Sequence, residues 1–98
     1  MTKLKLARGC KVLNRTEDGI IAIEKGPGIL THPNLGSSKS ANGKSSLLLN
    51  NDYNFDGEFY EISDNLKLYL THRLDSPTSG IIITTTRKDL ANEIKGKF

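Results

Sequence analysis

Apolar residues in this sequence come in short runs, each closed by turn chemistry, and that spacing restricts the fold more than any other feature. "KVLN" (11–14) and "IIAIEK" (20–25) flank Glu17, Asp18 and Gly19, and Ile20, Ile21 and Ile23 are β-branched, which predicts two short strands about a turn. "EFYEI" (58–62) and "LKLYLTHRL" (66–74) alternate in the manner of strands and are parted by the polar "SDN". "GIIITTT" (80–86) reads as another strand, buried on both faces at its start. From Arg87, "RKDLANEIKGKF" sets Leu90, Ile94 and Phe98 on one helical face. The class is α+β: a mixed, largely antiparallel sheet with a flanking helix.

Between these elements, "GPGILTHPN" (26–34) breaks the sheet. Its Gly26, Pro27, Gly28 and Pro33 form either an ordered loop that approaches something closely or a connector. Residues 34–54 are rich in Ser, Asn, Gly and Lys and read as a loop in which Leu47, Leu48 and Leu49 form a helical turn or two. Residues 1–11 form a lead-in. The 98 residues suffice for one small domain with a thin core. At 36% hydrophobic residues and a mean hydropathy of −0.41, the chain is polar for a globular domain, but its apolar residues cluster, as in a folded chain with loose stretches. The helical pattern reaches the last residue without a stop signal, which reads as a fragment of a larger domain.

Fourteen basic against 11 acidic residues give a net charge of +3, which permits nucleic-acid contact without demanding it. Cys10 is the single cysteine, so no intrachain disulfide forms, and a reducing, cytoplasmic setting is expected. No apolar run approaches a membrane span or a signal segment. "SANGKSSLLL" ends as a phosphate-binding P-loop does, but Ser38 stands where the pattern needs its first glycine. Nucleotide binding is therefore not expected, and Lys39 and Lys44 read as solvated loop charges, with RNA-backbone contact as the second reading. Cys10, His32 and His72 are too scattered for a metal site, so none is expected.

"LTHRLDSPTSGIII" (70–83) carries the sequence's most unusual acidic residue. If "LYLTHRL" is a strand, Arg73 and Asp75 share one face while His72 and Leu74 share the other. The guanidinium would then favour an ionised carboxylate, available as nucleophile or base. Alternatively, Asp75 accepts hydrogen bonds from the Thr78 and Ser79 groups in an ordinary turn. Spacing alone leaves both open.

"HRLDSPTSGIII" resembles the signature of the RluA-type pseudouridine synthases: His-Arg-Leu-Asp, two variable residues, Thr-Ser-Gly, then aliphatics. "IIAIEKGPGILTHPN" is similar to that family's N-terminal strand and loop, and "TTTRKDLANEIKGKF" to the strand end and helix after the signature. The likeness runs from about Val12 onward, loosely over 35–54. It implies an incomplete pseudouridine synthase catalytic domain and a cofactor-free isomerase. Such an enzyme cuts the glycosidic bond of a uridine in RNA, rotates the base and rejoins it through carbon. Asp75 matches the essential aspartate and Arg73 the arginine near the flipped nucleotide, which implies a partner for Asp75 and for the RNA phosphate. His72, Thr78, Ser79 and Gly80 match the signature and shape its loop, and Lys25 matches a structural or RNA-facing charge; His32 reads as a loop residue. The implied partner is RNA, transfer or ribosomal, and Pro77 together with the short lead-in resembles the branch that acts on transfer RNA. Two departures stand out. Gly26 precedes Pro27 where the family places proline directly after the lysine, and the family's later tyrosine and basic residue have no counterpart here. Tyr53, Tyr60 and Tyr69 precede the signature and read as packing residues. The alternative is a non-catalytic RNA-binding or vestigial fragment.

Overall fold

The computed structural model describes residues 4–33, 46–49 and 52–97. Six strands form one antiparallel sheet in the order β1-β2-β6-β5-β4-β3, followed by one helix. The strands are β1 (Lys11–Arg15), β2 (Ile20–Lys25), β3 (Tyr53–Asn54), β4 (Phe59–Ser63), β5 (Leu66–Leu70) and β6 (Gly80–Thr85); α1 spans Lys88–Lys95. The α+β class read from the sequence holds.

The β1–β2 hairpin closes where expected. Gly19 sits at φ +95°, a conformation that costs other residues strain, and its carbonyl accepts the amide of Thr86, tying the turn to the end of β6. Register then assigns the faces: Ile21 lies opposite Thr84 and Ile23 opposite Ile82. With Tyr60, Leu68 and Leu70 these residues build the main core.

Leu47 and Leu48, both buried, cover that core, but not as a helical turn. The segment is extended: Ala7 donates to the Leu47 carbonyl and Leu49 to that of Lys5. A run of three leucines satisfies either period, and pairing with the N-terminal segment decides for the extended form. Residues 34–45, which include the P-loop-like Gly43, Lys44 and Ser45 and the loop charge Lys39, lie outside the described residues. Tyr53 and Asn54, expected in a loop, form β3.

The opposite sheet face carries α1, whose Ala91 packs with Phe59 and Tyr69. Lys95 adds an ion pair to Glu58 at 2.9 Å. The helix does have a stop: it ends at Lys95, and Gly96 caps it by donating to the Asn92 carbonyl. Leu90 and Ile94 are half-buried as the helical pattern predicts, while Phe98 lies outside the described residues. The start of β6 is buried on one side only, for Ile82 is inaccessible while Ile81 is 53% exposed. Three consecutive isoleucines cannot report which face is covered, because that depends on what packs over each.

The largest departure is at β5. The strand ends at Leu70 rather than running through Asp75, and only Tyr69 and Leu70 pair with β6, against Thr85 and Thr84. Beyond them one long backbone bond remains, from the Thr71 amide to the Ile83 carbonyl at 3.4 Å, and the side chains of Thr71 and His72 supply the other contacts. The Thr71 hydroxyl donates to the Ile83 carbonyl at 2.6 Å, and the Ile83 amide donates to His72 Nε2 at 3.1 Å. The chain after Leu70 is thereby released from the sheet yet held against it.

Candidate functional site

β2 and β5 both run antiparallel to β6, so the chain leaves both toward the start of β6: β2 ends with Lys25 opposite Gly80, and β5 ends with Leu70 opposite Thr84, from where the chain continues past Ile83. The loops that follow them, residues 26–33 and 71–79, therefore meet at one end of the sheet. Their junction is polar and internally satisfied.

Lys25 is its centre. The side chain is fully buried, and Nζ donates to the carbonyls of Gly26 (3.1 Å), Ile29 (2.6 Å) and Ser76 (3.1 Å). An ammonium has three donors and no acceptor, so this arrangement uses them all. Burial pushes the Lys25 ammonium down from the ordinary lysine value, and the nearby groups of Cys10 and Asp75 act in the opposite sense. Gly28, at φ +84°, donates its amide to the same Ser76 carbonyl at 2.7 Å. Thr31 makes the second clasp: its hydroxyl donates to the Leu74 carbonyl (2.8 Å) and accepts from the Leu74 amide (3.1 Å). Tyr60, buried in β4, donates its hydroxyl to the Thr31 carbonyl, and burial holds that phenol far above the ordinary tyrosine value. Residues 26–33 thus form an ordered wall that approaches the signature closely.

Between the walls opens a cleft of about 550 Å³, lined by Leu30, Thr31 and His32 on one side and by Arg73, Leu74, Asp75 and Ser76 on the other. Asp75 is exposed at its rim, where a turn joins the Asp75 carbonyl to the Thr78 amide at 2.9 Å. Thr78 and Ser79 are exposed on that turn and do not line the cleft. Although 71–75 is not a strand, Arg73 and Asp75 face the cleft and His72 reaches Ile83, while Leu74 lines the cleft and also packs against the core.

Arg73 and Asp75 do not pair as the strand geometry suggested; among the described residues no ion pair joins them. The guanidinium instead reaches across the cleft, with Arg73 Nη1 3.0 Å from His32 Nε2. His32 Nδ1 lies 2.8 Å from the Pro33 carbonyl, and its ring stacks on Tyr53 at 5.0 Å and 13°. Phe55 closes on both rings edge-on. Burial, reinforced by Glu58 and opposed by Arg73, leaves the Tyr53 phenol pushed up to about 12. Burial likewise holds His72 below the ordinary imidazole value, the neutral state that accepting the Ile83 amide requires. Among the described residues no group of His, Cys, Asp and Glu could hold a metal ion.

An accessible carboxylate, an arginine on the same wall and buried polar clasps behind both make a site that can place one acidic group against a polyanionic ligand. The sequence profile of the family described as RNA pseudouridylate synthase matches residues 19–98. The chain belongs to the RNA pseudouridylate synthase family. The matched span takes in β2, both loops, the cleft and α1, and leaves out β1 and the segment before it. The family is one of isomerases, and it implies an RNA substrate. No curated protein and no solved structure matches the chain.

Of the residues singled out in the sequence, the fold gathers Lys25, His72, Arg73 and Asp75 at this end of the sheet. Thr31 and His32 were missed as parts of the site. The only cue was "THPN" itself, because a threonine and a histidine before a proline carry no periodicity.

Proposed function

We propose that this chain provides the aspartate-bearing cleft of an RluA-type pseudouridine synthase, converting uridine to pseudouridine in structured transfer or ribosomal RNA without a cofactor. The observation that carries the reading is the exposed Asp75 carboxylate at the rim of a cleft whose walls are tied together from behind by Lys25 and Thr31. In this reading Asp75 acts as nucleophile or base while the N1–C1′ bond of the uridine breaks. The base rotates, C5 bonds to C1′, the C5 proton leaves and N1 regains one, so substrate and product are isomers. The uridine leaves its stack to reach the carboxylate. Arg73 contacts the flanking phosphate, and the Thr78 and Ser79 hydroxyls lie on the same rim for the RNA backbone. His72 and Lys25 hold the loop. The single cysteine suits a cytoplasmic setting.

The test compares wild type with Asp75→Ala on a mixed pool of unmodified transfer and ribosomal RNA, read by carbodiimide-dependent primer-extension stops. Stops with wild type and none with the variant, at unchanged melting temperature, are expected. Equal stops with both would remove Asp75 from the reaction. Salt-dependent RNA binding with no stops from either would replace the enzyme by the non-catalytic RNA-binding reading.

A further inference from the structure

We propose that His32 is the positioning residue for Arg73, holding its guanidinium in the orientation that meets an RNA phosphate; the inference rests on the RNA-binding reading above. The hydrogen-bond chain has one polarity. Arginine carries donors and no acceptor, so His32 Nε2, 3.0 Å from Arg73 Nη1, must accept. The Pro33 carbonyl can only accept, so His32 Nδ1, 2.8 Å away, must donate. Both ends therefore dictate the same species, a neutral imidazole with its proton on Nδ1.

The ring itself is fixed. It stacks on Tyr53 at 13° and meets Phe55 edge-on at 84°, and Tyr53 is in turn packed edge-to-face on the buried Tyr60. Arg73 is exposed and has no ion pair among the described residues, so without His32 its long side chain would sample many rotamers. Engaging Nη1 leaves the Nε and Nη2 donors, the other edge of the planar fork, for a bidentate phosphate contact. Ordering the fork before the ligand arrives removes part of the entropy lost on binding.

The first measurement is the His32 tautomer in the free protein, from long-range proton–nitrogen correlations. An unprotonated Nε2 with protonated Nδ1 is expected; a protonated Nε2 overturns the inference whether or not the chain acts on RNA. Two variants then separate acceptor from ring. His32→Phe keeps the stack and loses the acceptor, whereas His32→Gln keeps an acceptor near the Nε2 position. His32→Phe should weaken RNA binding roughly tenfold, the scale of one hydrogen bond to a charged group, and His32→Gln should recover most of that loss. In an Arg73→Gln background the His32→Phe effect should vanish, since the two residues act as one unit. An undiminished effect in that background, or no rescue by glutamine, overturns the role. If wild type binds no RNA, the proposed function fails, and the tautomer alone decides the His32–Arg73 relationship.

Discussion

His72 stands in for a strand residue: its Nε2 accepts the amide of Ile83 at 3.1 Å, at the point where β5 has stopped pairing with β6. A side chain thus satisfies a half-buried ladder donor while the backbone of 71–75 turns away. Arg73 and Asp75 can reach the cleft because His72 does not.

That bond makes acid sensitivity a property of His72. Burial lowers its pKa in the folded protein, while the unfolded chain takes up the proton near the reference value of about 6.5. As pH falls below that value the unfolded state binds more protons, so the stability contributed by neutral His72 is lost through the folded pKa. Denaturant unfolding at about pH 7 and about pH 5 should show a smaller acid loss in His72→Gln than in wild type. Identical losses would show that His72 takes up its proton equally in the folded and unfolded chains and so bears no linkage.

Replacing Lys25 by methionine should destabilise the fold by about 2–4 kcal/mol, because buried carbonyls lose their donor. The Ser76 carbonyl keeps the Gly28 amide, so the uncompensated groups are those of Gly26 and Ile29. Urea midpoints measure it. A loss under about 1 kcal/mol would mean that the loops reach other donors without the ammonium.

Thr31→Val preserves shape and deletes both bonds to Leu74. The expected cost is about 1–3 kcal/mol, with faster amide exchange at Leu74 than at core residues such as Ile23. Unchanged exchange at Leu74 would show that the clasp does not hold the wall.

At the far end of the sheet, a Cβ on Gly19 would lie 2.5 Å from Thr86 Oγ1, and its φ is +95°. Gly19→Ala should cost about 1–3 kcal/mol through strain and displacement of Thr86, while RNA binding under conditions where it remains folded should be unchanged. A neutral effect on the thermal midpoint would mean that the turn relaxes freely.

Local signals were sufficient wherever one period ran uninterrupted. β1, β2, β4 and the face of α1 follow from alternation, turn residues and helical spacing in stretches such as "IIAIEK" and "DLANEI". They failed where two patterns fit equally. Leu47 to Leu49 suited helix or strand, and Ile81 to Ile83 gave no sign that Ile81 would stay 53% exposed. "LYLTHRL" continued the alternation past Leu70, and nothing local announced that the strand would end there with the Thr71 and His72 side chains bonded to Ile83.

The sequence by itself determined the class of fold, the position of Asp75 after Arg73 and ahead of a turn, and the resemblance of "HRLDSPTSG" to a synthase signature, because each resides in contiguous residues. The tertiary structure decided the partners. Arg73 went to His32 rather than to Asp75, and Lys25 became a buried clasp. His32 and Arg73 lie 41 positions apart, as Lys25 and Ser76 lie 51 apart. Such contacts exist only once β2 and β5 have both been paired against β6, which brings their two following loops together.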